Sequence, residues 1–172
     1  TLLSTGAQSY EALYFLGVIA ERRKDTERAL RYYSRVAGGN YSLAAQQRVA
    51  RIMTEQSGAE AGLAHLDELA LAQPQTAPDL YAAKAALLEW RGENRRAGQL
   101  LDEGVARYPD ALELRLNRAF HLDRSGKDEA AIRELRAILA ERPGDAHVQN
   151  ALGYTLADQD RNLAEARQLV TA

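Results

Sequence analysis

Small side chains return along this chain at an interval close to 34 residues. Gly17, Ala50, Ala85, Ala119 and Gly153 form one series, with steps of 33, 35, 34 and 34. Ala29, Gly62, Ala97, Ala131 and Ala166 form a second, with steps of 33, 35, 34 and 35. A bulky apolar residue follows each member of the second series by four: Tyr33, Leu66, Leu101, Leu135 and Val170. Pro109 and Pro143 keep the same interval, as do Gly92 and Gly126. Between these marks apolar residues recur at i, i+3, i+4 and i+7, the stripe of a helix with one buried face. Leu13, Leu16 and Ala20, then Leu30, Tyr33 and Val36, show it early; Ile132, Leu135, Ile138 and Leu139 show it late. Each unit therefore reads as helix, turn, helix. Small residues at matching points of both helices let the backbones approach to about 8–10 Å, and the bulky residue fills the space beside that contact. One such pair cannot bury both its faces, so the next pair must cover it.

The four prolines, Pro74, Pro78, Pro109 and Pro143, fall outside the periodic segments and mark breaks between helices. Composition narrows the chemistry. With no cysteine among 172 residues, disulfides, thiolate-bound zinc and a thiol nucleophile are excluded from this stretch. A net charge of −2 argues against nucleic acid as the main partner, because phosphate binding needs a basic surface. No apolar run approaches the ~18 residues of a membrane-spanning helix. Arginine outnumbers lysine by 19 to 3, a bias associated with GC-rich bacterial genomes. The chain begins at Thr1, and an upstream signal or anchor segment is expected before it.

No motif points to catalysis. His65, His121 and His147 stand far apart, and none belongs to an H-x-x-x-H pair. Nucleophile-elbow, dinucleotide and P-loop glycine patterns are missing from the sequence. Gly38-Gly39-Asn40 reads as a helix stop. Asp158-x-Asp160-x-Asn162 imitates the start of a calcium loop, yet Leu163 and Leu169 occupy the positions that need Gly and Glu, so a polar turn is expected there. Charge is segregated: residues 21–51 carry eight basic and three acidic side chains, whereas residues 52–83 carry five acidic ones and no Lys or Arg. That pattern suits either a basic docking patch or solvated helix faces with pairs such as Glu27–Arg31.

At these residues the chain resembles the tetratricopeptide repeat family. The family pattern of a bulky residue followed by Gly or Ala appears at Leu16-Gly17, Val49-Ala50 and Leu152-Gly153, and its later marks at Ala131, Leu135 and Pro143. The resemblance implies an all-α fold, a right-handed superhelical solenoid of about five helix-turn-helix repeats, truncated at both ends. Residues 1–9 would be the end of a preceding repeat, including its turn. The units would span 10–42, 43–77, 78–111, 112–145 and 146–172. Lys84 and Arg118 stand where the family has a large apolar residue, so those helices are either less buried or use aliphatic stems. Tyr41 replaces the closing Pro of the first unit, which implies a different turn, and one residue is inserted near 158–162.

In this family the first helices line a concave groove. Ligands touch their second, fifth, sixth, ninth, twelfth and thirteenth positions. Carried over, the resemblance implies a partner-binding set of Tyr14, Val18, Gln47, Arg48, Arg51, Ala82, Ala86, Glu89, Trp90, Leu116, Asn117, Phe120, Asp123, Arg124, Asn150 and Tyr154. The basic residues that clamp chaperone carboxylate tails are missing from this set, so an extended or helical protein segment held by aromatic anchors fits better. For each ring, packing between adjacent first helices is the competing reading. The blocks Tyr14-Phe15-Leu16-Gly17, Arg31-Tyr32-Tyr33, Ala44-Ala45-Gln46 and 150–158 are similar to bacterial envelope repeat lipoproteins, some of which recruit a carboxyl-terminal processing protease and its cell-wall hydrolase substrates. The resemblance implies a non-catalytic periplasmic scaffold and adaptor, anchored to the outer membrane through an upstream lipidated segment, or else a cytoplasmic one. It needs no cofactor and no metal, and its uncapped ends could self-associate. Two other classes stay open: the substrate-recruiting region of a larger enzyme, and an RNA- or anionic-lipid-binding module using the basic first unit.

Overall fold

A computed structural model describes residues 2–158, with side chains from 9 to 157. Ala166, Val170 and the polar turn at Asp160–Asn162 lie outside the described residues. Among the described residues there are nine α-helices, one short 3₁₀ turn at Pro74–Thr76, and no strand. The helices are α1 (Leu2–Arg22), α2 (Thr26–Tyr33), α3 (Ser42–Ser57), α4 (Ala59–Ala72), α5 (Ala77–Trp90), α6 (Asn94–Arg107), α7 (Leu112–Arg124), α8 (Asp128–Glu141) and α9 (Ala146–Asp158). They divide into two compact units, Thr1–Gln75 and Thr76–Ala172. In the first unit α1 packs on α2, α2 on α3 and α3 on α4; in the second each helix packs on the next, and α5 also meets α7.

The recurring small residues sit where the helices meet. Gly17, Ala50, Ala85, Ala119 and Gly153 are all buried, as are Ala29, Gly62, Ala97 and Ala131. Their bulky followers Tyr33, Leu66, Leu101 and Leu135 are buried too. The contact is tightest at Gly17, where an added Cβ would stand 2.5 Å from the Tyr33 ring. Only a glycine fits there. The Tyr33 hydroxyl donates to Glu21 Oε2 at 2.8 Å, and Arg48 Nη1 donates to Glu21 Oε1 at 3.2 Å. One carboxylate thereby links α1, α2 and α3. Burial, then the Glu21 hydrogen bond, pushes the Tyr33 hydroxyl well above its usual range.

The turn within each hairpin repeats with the same period. Lys24, Gly58, Gly92 and Gly126 are spaced by 34 and all have positive φ, at 60°, 92°, 77° and 69°. In three of them the backbone closes alike: the N–H of Asp25, Glu93 and Lys127 reaches back to the carbonyl of Ala20, Leu88 and Leu122 at 2.9, 2.8 and 2.9 Å. This is a left-handed helix stop that satisfies the last carbonyls. Asp25 then caps α2 by accepting from the Arg28 N–H at 3.0 Å. Gly58 differs. Its ψ of 168° places it in a region open essentially to glycine alone, and it joins α3 directly to α4. Pro78 lies in the first turn of α5, where a missing N–H costs nothing, and Pro109 and Pro143 lie between helices.

Four sequence expectations change or resolve here. No turn interrupts residues 2–9: α1 runs unbroken from Leu2 to Arg22. Leu16, expected on the buried stripe, is 42% exposed. Lys84 is buried along its stem, with Nζ 4.5 Å from the centroid of the Tyr81 ring, so the aliphatic-stem reading applies. The different turn implied by Tyr41 is present: its ring stacks on Tyr14 at 4.6 Å between centroids while its backbone opens α3.

Two stability changes follow from this geometry. Lys24→Gly relieves a left-handed lysine and should raise stability by about 0.5–1 kcal/mol. Gly17→Ala should lower it by about 1–3 kcal/mol, because the Tyr33 ring is fixed by its hydroxyl and cannot yield. Urea unfolding followed by circular dichroism measures both.

Candidate functional site

Two first helices of the second unit, α7 and α9, bring four expected residues to one place. Phe120 and Asp123 on α7, with Asn150 and Tyr154 on α9, line an open cleft of about 830 Å³. α8 packs against both helices and holds them side by side. His147, Ala151, Thr155 and Ala157 complete the lining. Residues 147, 150, 151, 154 and 157 follow helical spacing, so one face of α9 points into the cleft. Sequence reasoning omitted His147 and Ala157, although the second and twelfth positions of the groove pattern fall on them.

The two rings behave differently. Phe120 is half-buried and packs against the core formed by Leu116, Ala119, Leu135 and Leu152. Tyr154 is 67% exposed. An apolar wall that belongs to the core therefore faces a ring that projects, with a carboxylate (Asp123) and an amide (Asn150) alongside. Such a surface can grip a side chain and hydrogen-bond to a backbone. Leu116 does not belong to the groove. It is 1% exposed and lies in that core, because position 116 turns toward α8 and α9.

Of the remaining expected residues of the second unit, Glu89 and Arg124 pair with each other. Arg124 Nη2 contacts both oxygens of Glu89 at 2.8 and 2.7 Å, and His121 Nδ1 lies 2.5 Å from Glu89 Oε1. Glu89 thus ties α5 to α7, and its charge is matched within the protein. Asn117 donates to the Glu113 carbonyl at 2.7 Å. Ala82 is half-buried, Ala86 is exposed, and Trp90 is 41% exposed.

In the first unit Tyr14 and Val18 are half-buried against the core of Ala29, Tyr33, Val36 and Val49. For Tyr14 the packing reading applies, since it meets Phe15, Tyr33 and Tyr41. Arg48 pairs with Glu21, Arg51 pairs with Glu55 at 3.5 Å, and Gln47 is exposed. His65 Nε2 lies 2.9 Å from Gln46 Oε1 and ties α4 to α3. Burial holds its imidazole below the ordinary value. Among the described residues no cluster of three or more His, Cys, Asp or Glu could hold a metal ion.

An ion-pair network that the sequence did not disclose braces α7 on α8. Arg115 Nε meets Glu134 Oε1 at 3.1 Å, and its two terminal nitrogens meet Glu141 at 2.6 and 3.1 Å. Arg118 shares Glu134 and lies 3.8 Å from Asp102 on α6. Arg118 is half-buried, with its two terminal nitrogens paired to Asp102 and Glu134. The Arg115 hydrogen bond holds the Glu141 carboxyl below its usual range.

Hairpins of this length, period and turn define a class of helical repeat protein that presents surfaces instead of enclosing a cavity. Residues 91–153 match the family model of the tetratricopeptide repeat. It is 35% identical over 161 residues to a TPR repeat-containing protein of Pseudomonas aeruginosa, an alignment that covers 93% of this chain and 27% of that protein. The chain therefore spans about a quarter of that relative's length. A tetratricopeptide repeat protein from Parabacteroides merdae shares the fold with a TM-score of 0.60 at 19% identity, covering 94% of this chain and 63% of that one. MamA from Desulfovibrio magneticus superposes with a TM-score of 0.56 at 16% identity, covering 95% and 92%. YrrB, a TPR protein with an unusual peptide-binding site, does so with a TM-score of 0.52 at 17% identity, covering 91% and 80%.

The titratable groups give the second unit and the first different acid responses. The His65 imidazole resists protonation when folded, so stability falls as pH drops through its ordinary value of 6.5, where the unfolded chain takes up the proton. The share due to Glu141 is present above its ordinary value of 4.5 and is lost as pH falls through the lower folded value. Urea midpoints measured against pH should lose the upper step in His65→Gln and lessen the lower one in Glu141→Gln.

Proposed function

We propose that this chain is a non-catalytic adaptor that holds a segment of a partner protein against α7 and α9. The observation that carries this is the cleft in which exposed Tyr154 faces core-packed Phe120, with Asp123 and Asn150 beside them. A projecting aromatic ring above an apolar floor is the arrangement that captures a side chain of a peptide. The polar neighbours fix its backbone. The pairing of Glu89 with Arg124 and His121 supports a rigid floor for this capture, because it leaves the α5–α7 contact fixed.

The resemblance of the 150–158 block to envelope lipoproteins supports a finer reading. The partner is a carboxyl-terminal processing protease together with cell-wall hydrolases, brought together in the periplasm by a protein anchored to the outer membrane. Binding both raises the effective concentration of substrate beside enzyme. A second reading draws on a separate cleft of about 650 Å³ lined by Arg28 and Arg31 on α2 and Arg35 just beyond it, which suits an anionic partner. Its Arg28–Asp25 and Arg31–Glu27 pairs, at 3.3 and 3.7 Å and well exposed, compete weakly with such a ligand.

Tyr154→Ala and Asn150→Ala are the clean tests, because both side chains are exposed and neither supports the core. Each should weaken capture of envelope proteins, the protease among them, by tenfold or so (about 1.4 kcal/mol) with an unchanged melting midpoint. Phe120→Asp would unfold the site as well as empty it. Capture unaffected by Tyr154→Ala and Asn150→Ala, yet abolished by Arg31→Glu and steeply salt-dependent, would transfer the function to the arginine cleft.

A further inference from the structure

A cleft of about 360 Å³ opens on a face of α7 other than the one that carries Phe120 and Asp123. Arg95, Gly98 and Asp102 reach it from α6, Arg118 and His121 from α7, and Lys127 from the N-cap of α8. The His121 side chain is only 8% exposed. Its Nδ1 is held on Glu89 Oε1 at 2.5 Å, and its Nε2 has no hydrogen-bond partner among the described residues. Gly98 leaves room at that nitrogen, since a Cβ there would stand 2.8 Å from it. A ring nitrogen this deep in the protein is costly to leave unmatched, and a ligand in the cleft can match it.

Three cations line the cleft against one carboxylate. That carboxylate, Asp102, lies 3.8 Å from Arg118, whose other terminal nitrogen meets Glu134. Arg95 and Lys127 have no carboxylate partner among the described residues. In the α2 cleft, by contrast, Arg28 and Arg31 each carry one.

We propose that the α6–α7 cleft binds a phosphate monoester group. Its charge, close to −2 at neutral pH, matches the two cations left unspent. Its oxygens accept from the Arg95 guanidinium and the Lys127 ammonium, the strong charge-assisted class of hydrogen bond. A further oxygen shares one proton with His121 Nε2, and either group can bring that proton. A carboxylate would leave one cation unmatched and offers fewer oxygens. At about 360 Å³ the cleft is at the small end of ligand sites, so the ester is a small one.

Imidazole nitrogen–proton NMR spectra read the site directly, because the chain has three histidines in separate places. Glycerol phosphate added at constant ionic strength should shift His121 Nε2 with a Kd of ~1 mM or tighter, and leave His65 and His147 unmoved. Arg95→Gln and Lys127→Gln should each weaken binding about tenfold. Neither should move the melting midpoint, since both side chains are exposed. Flotation with phosphatidate vesicles, displaced by glycerol phosphate, would make a lipid headgroup the source of the group; vesicles that leave the chain behind would make it a soluble ester. An unmoved His121, a shift matched by sodium acetate, or affinity retained in both variants would overturn the proposal. So would binding lost only in Arg31→Glu, which would move the anion to the α2 cleft. Tyr154→Ala should leave glycerol phosphate binding intact, so partner capture at α7 and α9 and this site fail separately.

Discussion

The close approach of paired helices at small side chains is the constraint on which this structure rests. Dispersion and apolar burial need atoms in contact, and two helix backbones come into contact only where neither presents a large side chain. Gly17 beneath the Tyr33 ring is the extreme case, with no space even for a methyl group. Ala119 and Ala131 do the same in the second unit, each wholly buried. The bulky residue one turn beyond each second-helix small residue then fills the wedge that opens as the helices diverge. The left-handed stop at Lys24, Gly92 and Gly126 returns the chain so that this register is met again 34 residues later.

That register also produces the candidate site. A first helix buries the face that meets its own second helix and the face that meets the preceding one. What is left points outward, and two neighbouring first helices leave a trough between their outward faces. Between α7 and α9 the trough receives Phe120 and Tyr154, one ring bonded by packing to the core and one projecting. Between α5 and α7, Glu89, His121 and Arg124 instead satisfy one another. The same scaffold thus leaves an open cleft at one step and a brace at the next. Which it makes depends on whether the side chains across the trough complement each other or a third party.

Much of the hairpin pattern was legible in the sequence because backbone approach and helix stops are local demands. A small residue at a fixed interval, a glycine after the last helical turn and a proline at a break each answer a requirement set by nearby atoms. Lys24 escaped notice for that reason: it occupies the glycine position of the turn without being glycine, and only its φ of 60° discloses the role. The outward set was harder. Leu116 and Asn117 are adjacent, yet one is buried in the core and the other exposed, since a rotation of about 100° per residue separates them. Assigning that rotation from a family pattern fails when the helix is turned by even half a residue's step.

The sequence by itself determined that the chain folds as paired helices with a period near 34, where they stop, and which small residues lie between them. These are consequences of steric size and backbone dihedral preference, which each residue carries with it. Only the tertiary structure decided which charges are spent on one another, because Glu89 with Arg124, Glu134 with Arg118 and Glu21 with Arg48 join residues from 16 to 35 positions apart across helix faces. It likewise decided that Tyr14 is packed while Tyr154 projects, although both are tyrosines on first helices. Burial is a property of the neighbours a side chain acquires, and a tyrosine does not bring those with it.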